Sequence, residues 1–193
     1  MALGSMLALR NSGGESIRPY CILDRDYHTE EEIEKERARA FERGLQVHVW
    51  CAKEIENFVL HSNAIVRFIR AKGLNPNLEV GVVDAQIERF IEAAKDEVYD
   101  LCGEHLSHIH KGKYRYVSKL VRELLDPVWS DASRRRLIVP GKSIMAQLSS
   151  WSLHEFGIGF NASQIAAEMT PAEIPREVKK VLEIINKNGK FAA

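Results

Sequence analysis

Two aspartates, Asp24 and Asp26, stand one residue apart at the end of an apolar run, in the stretch ILDRDYHTEEE. Carboxylate oxygens are the ligands that Mg²⁺ prefers, and Mg²⁺ needs few of them because it keeps several waters. Side chains alternate along an extended chain, so this spacing predicts that both carboxylates lie on one face. The same residues could instead cap the turn that follows the run, and the pair alone does not decide between these interpretations.

A second acidic pair, Glu54 and Glu56 in the stretch AKEIENF, repeats the i, i+2 spacing. Acids at the ends of adjacent parallel strands would crowd negative charge into a small volume. Such crowding opposes folding unless a cation neutralises it. If the two strands are neighbours, the sequence therefore predicts a divalent-metal site that is formed by the two acidic pairs together.

The elements that would position these acids form a βαβ unit. The apolar run RPYCILD at 18–24 and the alternating run LQVHVWC at 45–51 predict two strands. Between them, Thr29 and Glu32 are typical of a capping box, which starts a helix that runs to about Arg43. Strands joined in this way pair in parallel, and open α/β sheets bind ligands beyond the carboxyl ends of their strands.

After residue 60 the pattern changes to mostly helix, so the predicted fold class is α/β: a partial parallel βαβ unit followed by a mostly helical C-terminal region. Two strands are few for a stable sheet, so either further strands lie in the helical region or the front of the sheet is missing, and we favour the second. The predicted elements are a helix in 62–73, a long helix that Asp84 caps, a helix that ends before Pro127, a short extended piece after the basic run SRRRL, a helix that carries Ile144 to Phe156, and helices in 161–169 and 175–186.

Composition and charge limit the class of protein. Of the 193 residues, 45% are hydrophobic and 28% charged, which is ordinary for a soluble globular protein. The 27 basic and 27 acidic residues balance, which argues against a globally basic nucleic-acid binder but leaves local basic patches open. Cys21, Cys51 and Cys102 are widely spaced and predict buried free thiols in a reducing compartment. No apolar run is long enough to span a bilayer, so we expect a cytoplasmic protein without a membrane partner.

Two basic patches could contact phosphates: Lys111, Lys113 and Arg115, and the run SRRRL together with Lys142. Phosphate contacts of this kind are non-specific and salt-sensitive. A solvated charged face is the commoner interpretation of such a run, and the sequence leaves both interpretations open. The stretch CGEHLSHIHK at 102–111 offers zinc-ligand residue types, but no second ligand motif accompanies it, which favours a polar helix end.

The order and spacing of these motifs resemble a known family. CILDRDYHTEEEIEKE, followed by VHVWCAKEIENFVLHSNAI, is similar to the TOPRIM half of the overcoming-lysogenisation-defect (OLD) family of ATPase–nucleases. The tail, with its Pro-Gly-Lys and Glu-Ile-Pro stretches, resembles the C-terminal region of that family. The resemblance covers most of residues 18–185.

The resemblance implies a metal-dependent DNA endonuclease that hydrolyses phosphodiesters with Mg²⁺ or Mn²⁺. By this likeness Asp24 and Asp26 are metal ligands, and Glu54 is a ligand or near-ligand. Glu56 would contact the ligands without binding the metal itself. The implied partners are the phosphate backbone of DNA and an N-terminal ATPase domain or subunit, in the setting of phage defence. Homo-oligomer formation stays open.

A lysine near the scissile phosphate would stabilise the charge of the transition state. Lys53 and Lys142 are the candidates for this catalytic role, and the sequence does not choose between them. An interaction or regulatory domain that retains the sheet without catalysis is the alternative function.

The chain also departs from the family pattern. TOPRIM domains use a glutamate at the end of their first strand, and nothing before Arg18 supplies that strand, because Glu15 sits in a Gly-Ser loop. The chain has no Gly-x-x-x-x-Gly-Lys-Ser/Thr motif, so we expect no ATPase within it. We expect 1–5 to be a cloning scar, 6–60 the C-terminal half of a TOPRIM-like domain, and 61–193 the helical region.

Overall fold

The computed structural model describes residues 20–73 and 75–189 of the chain. Predictions that fall before Tyr20, including the 1–5 segment, the loop around Glu15 and the beginning of the first strand, lie outside the described residues. Within them, a short parallel βαβ unit is followed by a mainly helical region, which confirms the predicted fold class.

The βαβ unit consists of strand β1 (Tyr20–Leu23), helix α1 (Glu30–Glu42) and strand β2 (Gln46–Val49). The region that follows consists, in chain order, of a 3-10 helix (Ile55–Val59), α2 (Ser62–Ala71), α3 (Val80–Ala93), α4 (Lys95–Ile109), α5 (Tyr114–Trp129), α6 (Ala132–Ile138), α7 (Gly141–Phe156), α8 (Ala162–Glu168) and α9 (Arg176–Gly189).

The strand-to-helix turn of the βαβ unit forms as its sequence predicts. The strands pair in parallel, with Leu23 opposite Val49. At the beginning of α1, the Thr29 hydroxyl accepts a hydrogen bond from the Glu32 N–H at 3.3 Å, and the Glu32 carboxylate accepts one from the Thr29 N–H at 2.8 Å. This reciprocal pair is the predicted capping box, and it satisfies amide groups that have no partner within the helix.

Two predicted helix boundaries are wrong because tertiary packing overrides the local signal. Helix α3 begins at Val80, so Asp84 lies in its second turn; the fully buried Val83 anchors the first turn in the core. Helix α5 continues through Pro127 to Trp129, although proline cannot donate the helical hydrogen bond. Trp129 is buried, and its indole N–H donates to Glu92 at 3.1 Å, which holds the last turn in place.

Two further predictions need correction. The single long helix is two helices, α3 and α4, which meet at Ala94. The basic run itself lies in helix α6, which the Asp131 side chain caps by accepting from the Ser133 and Arg134 N–H groups. The extended piece that follows the run is confined to Val139 and Pro140, between α6 and α7. In the part of the chain that the structure describes, the sheet has only β1 and β2, so the helical region does not extend it.

The chain divides into two compact units, Met1–Cys51 with Arg176–Ala193, and Ala52–Pro175. In the first unit, Glu177 of α9 contacts the end of β2. Its carboxylate accepts from the Cys51 N–H at 3.1 Å and lies 3.0 Å from His48 Nε2. The expected domain boundaries at residues 5 and 60 stay predictions.

The three cysteines are free thiols, but only Cys102 is buried as predicted. Cys21 is half-buried, and Cys51 is exposed because it lies just past the end of β2. Desolvation, then a hydrogen bond that the thiol donates to the Glu177 carboxylate, and then the negative charge of that carboxylate raise the pKa of the Cys51 thiol to about 12. Cys51 is therefore protonated at neutral pH and is a weak nucleophile.

The core of the second unit lies where α2 packs against α3 and α8, and where α3 packs against α7. Its members are aliphatic side chains with no exposed surface at helical spacing, so burial against neighbouring helices stabilises each helix. The fully buried isoleucine and leucine side chains of these four helices are Ile65, Ile69, Ile87, Ile91, Ile144, Leu148 and Ile165.

An ion pair fastens the segment after α8 to α2. Arg67 Nη1 donates to Glu173 Oε1 at 3.0 Å, and Arg67 Nε donates to the Glu168 carbonyl at 3.0 Å. The Arg67 hydrogen bond, and after it the hydrogen bond from the Thr170 N–H, lower the pKa of Glu173 to about 2. The carboxylate therefore stays charged well below the pH at which an ordinary glutamate is protonated.

We predict that Glu173 makes the fold sensitive to acid. Because its folded-state pKa is depressed, the stability it contributes is present above about pH 4.5 and is lost as the pH falls towards about 2. In urea unfolding at about pH 6 and about pH 3, the wild type should lose more unfolding free energy than Glu173→Gln, which lacks the carboxylate at every pH. Glu104→Gln, at an exposed position of α4, is the control and should behave as the wild type. Equal losses in Glu173→Gln and the wild type would contradict this prediction.

Candidate functional site

The first predicted acidic pair lies at the carboxyl end of β1. The Trp50 N–H donates to the Leu23 carbonyl at 3.1 Å, so the parallel pairing continues to the point where the aspartates begin. The alternation of side chains requires an extended backbone through Asp26, and the structure does not have one. Asp26 has a φ of 48°, in the left-handed region that aspartate tolerates better than most residues. The His28 N–H donates to the Arg25 carbonyl at 3.2 Å and closes the turn.

Despite this turn, Asp24 and Asp26 line one cavity of about 260 Å³. His28, Glu32 and Glu36 add an imidazole and two further carboxylates to its lining, and the side chains of both strands and of α1 supply apolar walls. A water occupies about 30 Å³ in the liquid, so the cavity has room for several. Oxygen donors together with space for water fit Mg²⁺ or Mn²⁺.

The charges around this cavity are arranged by α1. Arg25, between the two aspartates in sequence, places its Nη2 atom 3.0 Å from Glu30 Oε2 in the first turn of the helix. Glu32 is engaged in the capping box, and its Oε1 atom lies 3.6 Å from His28 Nδ1. The turn and the helix cap thus bring acidic and imidazole groups to the same side of the sheet edge as the aspartates.

The second acidic pair lies in the second unit, together with both candidate lysines. Glu54 Oε2 accepts from the Lys142 N–H at 2.8 Å, at the beginning of α7, and Glu54 Oε1 lies 3.5 Å from Lys53 Nζ. The negative carboxylate faces the positive end of the α7 dipole. Glu56 Oε2 is buried without a hydrogen-bond partner among the described residues and lies 4.0 Å from Lys142 Nζ.

Asn57 holds this cluster together, and our sequence reasoning did not single it out. Its Oδ1 accepts from the Glu54 N–H at 2.8 Å, and its Nδ2 donates to the carbonyls of Arg136 at 2.8 Å and Val139 at 2.9 Å. A Cβ at Gly141 would lie 2.8 Å from both Asn57 N and Asn57 Oδ1, so only glycine fits without a shift. The Glu-Ile-Glu-Asn and Pro-Gly-Lys motifs are therefore packed against each other.

The basic run at 133–137 is paired within the second unit. Arg135 Nε donates to Glu88 Oε2 at 3.0 Å, while Arg136 donates to Glu88 Oε1 and Asp84 Oδ1, each at 2.8 Å. The hydrogen bonds from Arg136 and then from Ser62 lower the pKa of Asp84. This run thus fastens α6 to α3, and two of its arginines are engaged with internal carboxylates.

The structure thus places the predicted site residues in two sets. Asp24 and Asp26 belong to the first unit; Lys53, Glu54, Glu56 and Lys142 belong to the second and lie together there. A single metal site formed by both acidic pairs stays a prediction.

Comparison with known proteins gives no family assignment: no family model, no curated protein and no solved structure matches the chain. Among the described residues, no helix is both long and apolar enough to cross a membrane.

We predict that Gly141→Ala destabilises the second unit, because the new methyl group meets the backbone and side chain of Asn57. Forcing a group into a packed site typically costs about 1–3 kcal/mol. The control is Gly81→Ala in α3, where nothing lies within 4 Å of the added Cβ. That change should be neutral or stabilising by up to about 1 kcal/mol, since alanine favours a helix more than glycine does. Urea unfolding measures the stability of both variants. Equal free energies of unfolding would refute the close packing of Gly141 against Asn57.

Proposed function

We propose that this chain supplies the metal site of a divalent-metal-dependent DNA endonuclease of the OLD type. One observation carries the proposal: Asp24 and Asp26 follow the carboxyl end of a parallel strand and line one cavity with further carboxylates and an imidazole. That edge of an α/β sheet is where such folds bind ligands. The motif resemblance supplies the reaction class, phosphodiester hydrolysis, and the preferred ion, Mg²⁺ or Mn²⁺.

In this proposal Asp24 and Asp26 hold the ion, and the resemblance adds Glu54 as a ligand or near-ligand and Glu56 as its support. When bound, such an ion activates a water and stabilises the leaving oxygen. Glu54 already accepts the Lys142 N–H, so any role in metal binding competes with its role at the beginning of α7. Glu54 is therefore the least informative of the four acids to mutate first.

Exposure separates the two lysine candidates. The Lys53 side chain is 10% exposed and lies beside Glu54, whereas the Lys142 side chain is 60% exposed at the beginning of α7. A lysine that stabilises a phosphate must reach it from the protein surface. We therefore assign the phosphate contact to Lys142 and charge compensation of Glu54 to Lys53. DNA and an ATPase domain or subunit are the proposed partners.

We predict that Mn²⁺ raises the melting temperature of the wild type and not that of Asp24→Asn/Asp26→Asn. A ligand that binds only the folded state at about 100 times its Kd stabilises by about 2.7 kcal/mol. The matched control, Asp96→Asn/Asp100→Asn, removes two exposed carboxylates from α4 and should keep the Mn²⁺ response. A wild type whose melting temperature does not change with Mn²⁺ would rule out the site.

Catalysis is tested by nicking of supercoiled plasmid with Mn²⁺. Asp24→Asn should abolish nicking, and Lys142→Ala should slow it by about 10²–10³-fold, as for the loss of other groups that stabilise transition-state charge. Lys53→Ala should act mainly on stability, because Lys53 is nearly buried. Metal binding without nicking by the wild type would support the alternative, a non-catalytic interaction domain that retains the sheet.

A further inference from the structure

Helices α4 and α5 form a hairpin whose inner face is apolar. Cys102 and Leu106 of α4, and Val117 and Val121 of α5, are buried. The connection between the helices turns at Gly112, which has a φ of 77°. Because these contacts bury one side of each helix, the other side of α5 and the connection are exposed to solvent.

The exposed side of the connection and of the first half of α5 is basic, in a chain whose net charge is zero. Residues 105–122 contain five cations and no acid. Three of the cations recur at i, i+4 and i+7 along α5, which places them on one face of the helix. All five are exposed: Lys111, Lys113, Arg115, Lys119 and Arg122.

These cations differ from the basic run at 133–137 in their partners. In that run, Arg135 and Arg136 are paired with Glu88 and Asp84. Of the five hairpin cations, only Lys119 has an ion pair among the residues that the structure describes, with Glu123 at 3.4 Å. That pair is exposed on both sides, and exposed pairs contribute little. The hairpin therefore presents positive charge that the fold itself does not use.

Two exposed aromatic side chains accompany the cations. Tyr114 is 76% exposed and Tyr116 50% exposed, on either side of Arg115. The Tyr116 ring contacts His110 edge to face at 5.1 Å between ring centroids, which orients it, while Tyr114 presents most of its ring to solvent. Proteins that bind single-stranded nucleic acid combine cations along its phosphate backbone with aromatic rings on which its bases stack.

A groove along α5 has a basic end and an acidic end. A shallow groove of about 740 Å³ along the helix is lined by Arg115, Lys119 and Arg122, with Glu123 and Asp126 towards its other end. The positive end of the helix dipole coincides with the basic end of this groove. Phosphates are therefore favoured near the connection between the helices and disfavoured towards Asp126.

We propose that this hairpin surface, defined as Lys111, Lys113, Tyr114, Arg115, Lys119 and Arg122, binds single-stranded nucleic acid. The cations contact successive phosphates, and a base stacks on Tyr114. The inference deepens the proposed function and rests on it for the identity of the partner as DNA, since it assigns the nuclease a single-stranded stretch of its substrate. An acidic protein or an anionic membrane would compete for the same charges, and both enter the test below.

Binding is measured by fluorescence anisotropy of a labelled oligo(dT) of about 20 nucleotides, in EDTA, over a range of NaCl concentrations. Lys113→Gln/Arg115→Gln/Lys119→Gln should weaken binding at least about tenfold and make the salt slope less negative by roughly 2, at about 0.7 per phosphate contact. Lys35→Gln/Lys180→Gln/Lys187→Gln removes equal charge from exposed positions of α1 and α9 and should stay within about twofold of the wild type. No oligo(dT) binding, or equal binding by both triple variants, overturns the proposal.

The aromatic contribution separates nucleic acid from other polyanions. Tyr114→Ala should weaken oligo(dT) binding about fivefold or more, and Tyr114→Phe should restore it, because stacking needs the ring and not the hydroxyl. Circular dichroism should show both variants folded, since Tyr114 is mostly exposed. Unchanged binding by Tyr114→Ala overturns the assignment, as does equal displacement of the oligonucleotide by poly-glutamate or phosphatidylserine vesicles.

The same proteins distinguish this proposal from the proposed metal site. Asp24→Asn/Asp26→Asn should lose the Mn²⁺ response and bind oligo(dT) in EDTA as the wild type does. The triple variant Lys113→Gln/Arg115→Gln/Lys119→Gln should keep the Mn²⁺ response and lose oligo(dT) binding. Hairpin-dependent binding without any Mn²⁺ response overturns the metal site and sustains the hairpin surface, whereas an Mn²⁺ response without hairpin-dependent binding does the opposite.

Discussion

The second unit depends on one side-chain amide. Asn57 accepts from the Glu54 N–H and donates to two carbonyls at the junction of α6 and α7, where the end of one helix and the beginning of the next leave backbone groups without helical partners. Since the carboxylate of Glu54 then reaches the first turn of α7, this single contact aligns the acidic segment with the lysine-bearing helix. The glycine at 141 is required because the amide occupies the space of its side chain.

Local sequence signals predicted the elements whose determinants are local. The capping box of α1 and the parallel pairing of β1 and β2 follow from residues close in sequence, and both form as predicted. The errors have the opposite origin. The beginning of α3 before Asp84 and the passage of α5 through Pro127 depend on burial of Val83 and Trp129 against distant residues. Propensity and capping rules contain no information about that burial.

The candidate site shows the same division. The aspartates line one cavity by way of a left-handed turn at Asp26, and not along the extended backbone that the alternation rule assumed. The contact between Glu54 and Lys142 joins residues 88 positions apart, so local sequence patterns could not predict it. Sequence also could not separate the two basic runs, because the acids that pair with Arg135 and Arg136 lie 47 to 52 residues earlier in the chain.

Position 142 performs two tasks with different parts of one residue. Its main-chain N–H binds Glu54, while its ammonium group lies at the protein surface near Glu56. Every residue except proline has that N–H, so the helix start is indifferent to which side chain stands there. The side chain at position 142 can therefore change without disturbing the beginning of α7, whereas glycine at the preceding position cannot be replaced without a clash with Asn57. The exposed charge and the start of the helix thus depend on different atoms of the same residue.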